Sequence, residues 1–288
     1  MPASSPRGDP ADIPVTLYNF GGILANLICL ILALPIFLIP DLPPLATTTV
    51  WVFILADLLL LILNGIPLQF AGLSNDMSNI ILLRKDPLSR RGFISQLRAN
   101  ALIQDGVRPK DMPEEIFEIP ENLNYRDPLQ ACVRIMYASR LADMLEYEKA
   151  LAEFELIYSH KEELMGLFVK EIESELACLR MMTGDIDGAR KLLDNKDLMK
   201  YINTYRKVMS SKERTLCAKA LYLDADPEKA IAIYRNLDSR KDAYLMQGEV
   251  ASDLTLIRDM LLREGLLSAN QQTQPAETVG KESYCQSS

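Results

Sequence analysis

The stretch FGGILANLICLILALPIFLI, Phe20 to Ile39, runs for 20 residues without a charge, and ATTTVWVFILADLLLLILNGIPL, Ala46 to Leu68, runs for 23 with Asp57 as its one ionisable group. A hydrocarbon core about 30 Å thick is crossed by roughly 20 helical residues, so each run is long enough to span. The short connection Pro40 to Leu45 joins them, which predicts a helical hairpin. A cleaved signal peptide fits poorly: the leader Met1 to Pro14 carries one Arg and two Asp, Pro35 interrupts the apolar run, and no small-x-small site follows it. The basic residues Arg84, Lys85, Arg90, Arg91 and Arg98 follow the second run, whereas the connection holds only Asp41. The positive-inside rule then puts both termini in the cytoplasm, with Trp51 as an interfacial anchor.

Outward from the hairpin the composition changes. The mean hydropathy of +0.03 averages two unlike halves. Up to residue 85 there are three basic residues (Arg7, Arg84, Lys85) and five acidic ones (Asp9, Asp12, Asp41, Asp57, Asp76), out of totals of 31 and 39. The rest is a charged, water-compatible chain. The net charge of −8 argues against a nucleic-acid partner. Five cysteines without a CxxC pair, and the single histidine His160, give neither a disulfide framework nor a two-imidazole zinc site within this chain.

Residues 86–104 form an amphipathic segment with Leu88, Phe93, Ile94, Leu97, Leu102 and Ile103 on one side. Two surroundings suit it: an anionic lipid surface meeting the arginines, or a soluble tail on which the helix docks. Prolines at 109, 113, 120 and 128 keep the connector from forming long helices. From Leu129 to Leu267 the chain is nearly free of Gly and Pro and has helical periodicity. Three similar helix starts place Ala150, Ala189 and Ala230 at spacings of 39 and 41, near the tetratricopeptide pattern of stacked helix pairs, whose usual period is about 34.

The predicted organisation is all-α. A polar leader (1–14) precedes a transmembrane hairpin with its exit segment (15–85), a juxtamembrane helix with Pro-rich connector (86–128), a cytoplasmic tetratricopeptide-like repeat domain (129–267) and a disordered tail (268–288).

Chemistry-bearing residues cluster in the hairpin. Gly22 and Asn26 lie four apart on one helix face, suited to close helix contact and an interhelical hydrogen bond. Gly65 and Pro67, after Asn64, break the second helix near membrane depth, where freed backbone groups must be buried in protein or line a polar cavity. Asn75 and Asp76 follow: as the cap of a short helix over Met77 to Leu83, or with Asp76 as a metal-ligating carboxylate. Asp57, seven residues before Asn64 and on its face, is expensive in lipid and is expected to face protein.

With these motifs the chain resembles the site-2-type intramembrane zinc metalloproteases, whose core holds an HExxH helix, a Gly-rich helix with a following Asn, and a third helix ending in N-x-x-P before an Asp-Gly ligand. Gly21-Gly22 with Asn26 resembles the second helix, and Asn64 to Pro67 with Asn75-Asp76 the third. Asp111-Met-Pro-Glu-Glu-Ile-Phe is similar to bacterial relatives with a helical-repeat tail. The resemblance implies zinc held by two histidines and Asp76, with Asn64, Pro67, Asn75, Gly22 and Asn26 positioning substrate or packing the core. The chain departs from the pattern in three ways: Asn64 and Asp76 are 12 apart, Met77 replaces the Gly, and HExxH is absent. The expectation is therefore a C-terminal portion or catalytically incomplete homologue that does not bind zinc alone. A missing N-terminal segment or second chain would supply HExxH. The alternative is a membrane-anchored scaffold presenting its repeats to a cytoplasmic protein.

Overall fold

A computed structural model describes residues 15–70 and 73–268; the expected leader and the tail from residue 269 lie outside them. Among the described residues there are twelve α-helices and one ribbon of two-residue strands.

The first helix, α1 (Val15–Ala33), passes into a 3₁₀ turn, Leu34–Leu38, where Pro35 lacks the N–H an α-helix needs. After a turn with Asp41 in the left-handed region, α2 (Pro44–Gly65) starts on a proline, which costs little in a helix's first turn. Both are long and apolar enough to cross a bilayer. Their packed seam holds Leu30, Ala33 and Ile54, with the Phe37 and Trp51 rings 5.0 Å apart. Most of their other apolar side chains, Leu32, Leu55 and Leu59 among them, face outward. The Thr48 and Thr49 hydroxyls donate to carbonyls four residues back, both at 2.9 Å, so α2 needs no water for them.

Strands β1 (Gln69–Phe70) and β2 (Leu73–Ser74) pair antiparallel, Gln69 opposite Ser74, and lead into α3 (Asp76–Lys85). Helix α3 packs on α1 and is followed at once by α4 (Pro87–Gln104).

Helix α4 is docked on protein. Phe93 and Ile94 pack with Val15 of α1, Leu83 of α3 and Leu129, while Leu102 and Ile103 pack on Met112, Ile116 and Phe117 of the connector. Arg91 pairs with Glu118 and Arg98 with Glu115. Of the two surroundings the sequence allowed, the docked one is found. The anchor is a repeated tripeptide: α4 and α5 (Pro128–Asp143) both begin Asp-Pro-Leu, and their caps interlock. Asp86 accepts from Leu88 N at 2.9 Å and Asp127 from Leu129 N at 2.9 Å. The Ser89 hydroxyl reaches both carboxylates, and Gln130 Nε2 donates to Asp86 at 2.9 Å. Gly92 makes room for this, since a Cβ there would stand 2.1 Å from the Leu129 carbonyl oxygen.

The connector forms two 3₁₀ turns, Pro109–Asp111 and Glu114–Phe117, as its prolines require. It lies against the helices that follow rather than separating two bodies. Arg108 pairs with the buried Asp143, and a Cβ on Gly248 would stand 2.1 Å from the Val107 carbonyl oxygen. Residues 86–128 thus pack against the tail, with Met136 and Tyr137 of α5 lying on the Met112, Ile116 and Phe117 cluster.

The tail continues as α6 (Tyr147–Ser159), α7 (Gly166–Thr183), α8 (Ile186–Leu193), α9 (Lys196–Tyr205), α10 (Ser210–Ala218), α11 (Pro227–Ser239) and α12 (Gln247–Arg263). One turn recurs three times. Leu145, Gly184 and Ala225 have positive φ; each is followed by an acidic N-cap (Glu146, Asp185, Asp226), and four residues later by Ala150, Ala189 or Ala230, each fully buried. A side chain no larger than methyl lets the second helix of each pair, α6, α8 or α11, lie close to the first. The middle pair departs from the others: α8 stops at Leu193 and α9 is interposed before α10.

Candidate functional site

The backbone leaves α2 at Gly65, and its last carbonyls lack intrahelical donors. Asn75 resolves this from both sides. Its Nδ2 donates to the carbonyls of Leu63 and Ile66, each at 2.5 Å, while its Oδ1 accepts from Leu68 N at 3.2 Å and from Ser78 N at 3.0 Å. One amide thus closes the C-terminus of α2 and caps the N-terminus of α3, which needs a side chain that donates and accepts at once. The Asn75 N–H also donates to the Leu68 carbonyl at 3.1 Å. The capping expected of Asn75 is found, extended to the end of α2.

This staple sets Asp76 in the first turn of α3, where the helix dipole favours an anion. Its carboxylate lies against α1: a Cβ on Gly22 would be 3.3 Å from Asp76 Oδ2. Two residues 54 positions apart and singled out by separate motifs therefore meet. The close approach at Gly22 is to α3. Among the described residues Asp76, Asn26 and Asn64 make no side-chain hydrogen bond, and the polar side chain satisfied within α1 is the buried Asn19, which donates to Val15 O at 2.8 Å. The interhelical hydrogen bond expected of Asn26 is not formed. Pro67 sits in the exposed turn just before β1. Asp57 is buried against protein, yet its Oδ2 has no hydrogen-bond partner.

Zinc does not fit the described residues taken alone, since no three His, Cys, Asp or Glu side chains converge on a metal position. His160 stands at the end of α6, stacked on Tyr125 at 4.0 Å with Nδ1 3.0 Å from Glu163 Oε1. Three thiols of the tail are likewise removed from ligand chemistry: burial pushes Cys132 and Cys217 up to about 12 and Cys178 to about 11.

A second polar centre, unmarked in the sequence, lies inside the helical tail. The run Ser210-Ser-Lys-Glu-Arg-Thr215 opens α10, and all but Ser211 of its side chains are buried. Lys212 Nζ meets Glu171 Oε2 at 2.6 Å, and the Tyr201 hydroxyl donates to the same oxygen at 2.6 Å. Arg214 pairs with Glu175 and, at 2.7 Å, with Asp253, which also accepts from Ser210 Oγ. Glu213 takes Arg206 and Arg240, both at 2.8 Å. Burial works against the Arg214 charge, but the carboxylates of Glu175 and Asp253 outweigh it and hold the guanidinium well above its ordinary value. Hydropathy gives no sign of this centre, because its partners come from α7, α9, α12 and the turns that follow α9 and α11.

Comparison of the chain with protein-family models, with curated proteins and with solved structures gave no match.

Proposed function

We propose that this chain is a membrane-anchored relative of the site-2-type intramembrane zinc metalloproteases, either the C-terminal part of such a core or a catalytically incomplete homologue. The observation that carries the reading is the apposition of Gly22 and Asp76, held by the Asn75 staple across the Asn64 to Pro67 break. In this reading Asp76 is one metal donor, and the histidines and the water-polarising Glu come from a second segment carrying HExxH. Asp76 suits that role because it faces another helix at the end of an apolar span and its carboxylate makes no hydrogen bond to a described residue.

The test is metal content. The chain, purified alone and co-purified with a co-expressed HExxH-bearing membrane segment, is analysed for zinc. Zinc at one per complex, lost in Asp76→Ala, is expected only for the pair. Stoichiometric zinc on the chain alone overturns the incomplete-homologue form of the reading, and none on a stable pair, or an encoding locus with no HExxH segment upstream or adjacent, overturns the C-terminal-part form.

A second reading, a membrane-anchored tetratricopeptide-like scaffold for a cytoplasmic partner, is favoured by the recurrent turn, cap and alanine at Leu145, Gly184 and Ala225. A partner that dissociates when α6 or α11 surface residues are changed, with zinc absent throughout, would select it.

A further inference from the structure

The apolar helices of the hairpin hold one carboxylate, Asp57, that no described residue pairs. Ile54 and Asp57 are the buried residues of α2, and with Leu61 they follow one another at helical spacing on the face turned to α1. Ile54 and Leu61 pack there with Leu30 and Ala33. Asp57 stands between them with 6 % of its surface exposed, and its Oδ2 is sealed without a hydrogen-bond partner. Eight residues separate it from Gly65, about 12 Å of helix, so it lies deep within the span.

The polar side chains of the two helices do not supply the missing donor. Asn19 is engaged by Val15 O, and Thr47, Thr48 and Thr49 donate to carbonyls four residues back. Asn64 is two turns away along α2, and among the described residues neither it nor Asn26 forms a side-chain hydrogen bond. Between Val15 and Leu83 the sequence has no Lys, Arg or His. A carboxylate at this depth is costly unless it is paired, and in membranes such groups are found facing a cation or a polar path.

Charge and access together define the missing partner. It is cationic, because a carboxylate is to be neutralised. It stands at the end of a long stem, because the opening over Asp57 admits a side-chain tip and not a helix backbone. A second copy does not qualify, since this chain has no basic residue at that depth. We propose that Asp57 is the docking point for a different membrane protein, a transmembrane helix whose Lys or Arg near mid-bilayer reaches the carboxylate along the seam between α1 and α2. This rests on the membrane-anchored reading above, and on none of its zinc chemistry.

The full chain, labelled with a donor fluorophore at its N-terminus, is reconstituted in phosphatidylcholine vesicles. Acceptor-labelled host helices of about 22 residues are added, built of leucine and alanine with Lys, Leu or Glu at the centre. Energy transfer to the Lys helix is expected at concentrations in the bilayer at least about tenfold below those the Leu and Glu helices require. Asp57→Asn, close in shape but uncharged, loses that preference with helical content unchanged. Asp57→Lys moves the preference to the Glu helix, a reversal that a purely structural role for Asp57 does not give. Equal transfer to the Lys and Leu helices, or an undiminished preference in Asp57→Asn, overturns the proposal. Transfer between differently labelled copies of the chain that requires Asp57 overturns it in favour of a second copy. Chain released from the vesicles by alkaline carbonate overturns the membrane-anchored reading and the proposal together, whereas chain that is retained but indifferent to the Lys helix overturns the proposal alone.

Discussion

Gly22 of α1 and Asp76 of α3 touch: the glycine has no side chain, and where its Cβ would be, the Asp76 carboxylate stands 3.3 Å away. The contact joins a membrane-length helix to the short helix that leaves the second one. A leucine at residue 22 displaces Asp76 and costs about 1–3 kcal/mol of stability, as overpacking does. Alanine at the adjacent Gly21, which has nothing within 4 Å, does not. Thermal unfolding of both variants in nonionic detergent checks the pair; equal stabilities would refute the contact.

Asn75 is not replaceable by aspartate. Asn75→Ala loses the α3 cap, worth about 0.5–2 kcal/mol, together with the two bonds to the Leu63 and Ile66 carbonyls. Asn75→Asp keeps an acceptor for Ser78 N but has no donor for those carbonyls, and sets a negative charge against them. Both variants are expected to speed hydrogen exchange at the end of α2 and the start of α3; wild-type protection in Asn75→Asp would show that the donor half is dispensable.

Gly92 and Gly248 lock α4 and the connector to the tail. A methyl at either position would fall 2.1 Å from a backbone carbonyl oxygen, Leu129 or Val107, and backbone cannot swing aside as a side chain can. Gly92→Ala and Gly248→Ala should each cost about 1–3 kcal/mol or more, whereas Gly166→Ala, at an open position, should be neutral or mildly stabilising. Limited proteolysis between residues 105 and 127 reports the same event, with cleavage appearing in the first two variants only.

The buried ion pairs differ in what their loss exposes. Arg214→Met leaves Glu175 and Asp253 buried without their cation, a change that typically costs about 3–5 kcal/mol. Lys212→Met costs less, because Glu171 is about one-quarter exposed and keeps the Tyr201 hydroxyl. Unfolding by denaturant should rank Arg214→Met well below Lys212→Met, and a reversed order would contradict the network.

Glu249 makes stability depend on pH. Its folded value of about 7 lies above the ordinary 4.5, so the folded chain holds a proton that the unfolded chain releases between those values. This contribution is complete below pH 4.5 and is lost as pH rises through 7. Glu249→Gln removes it, so the wild type should lose stability relative to the variant between pH 4.5 and 7.5. Asp86 and Asp224 act elsewhere: hydrogen bonds to Asp86 and the Lys219 pair of Asp224 overcome the opposing effect of burial and hold both below the ordinary value, so their contributions fall away at more acid pH. Parallel melting curves across the window would exclude the assignment.

The sequence by itself determined the helical class, the two membrane-length helices, the helix break at Gly65 to Pro67, the Asn75 cap and the alanine-marked helix starts. Each follows from neighbours a few residues apart: the length of an apolar run, the φ of a proline, the reach of a side chain to an N–H three residues on. Tertiary structure alone decided what α4 lies on, since an amphipathic basic helix has the same sequence beside lipid or beside protein. It alone decided that Gly22 meets Asp76 rather than α2. It also turned Ser210 to Thr215, as polar as any surface turn, into the centre of the tail. Burial of those charges is tolerable only because carboxylates and cations from distant helices neutralise them, and such pairing is a property of the packed chain that no local window contains.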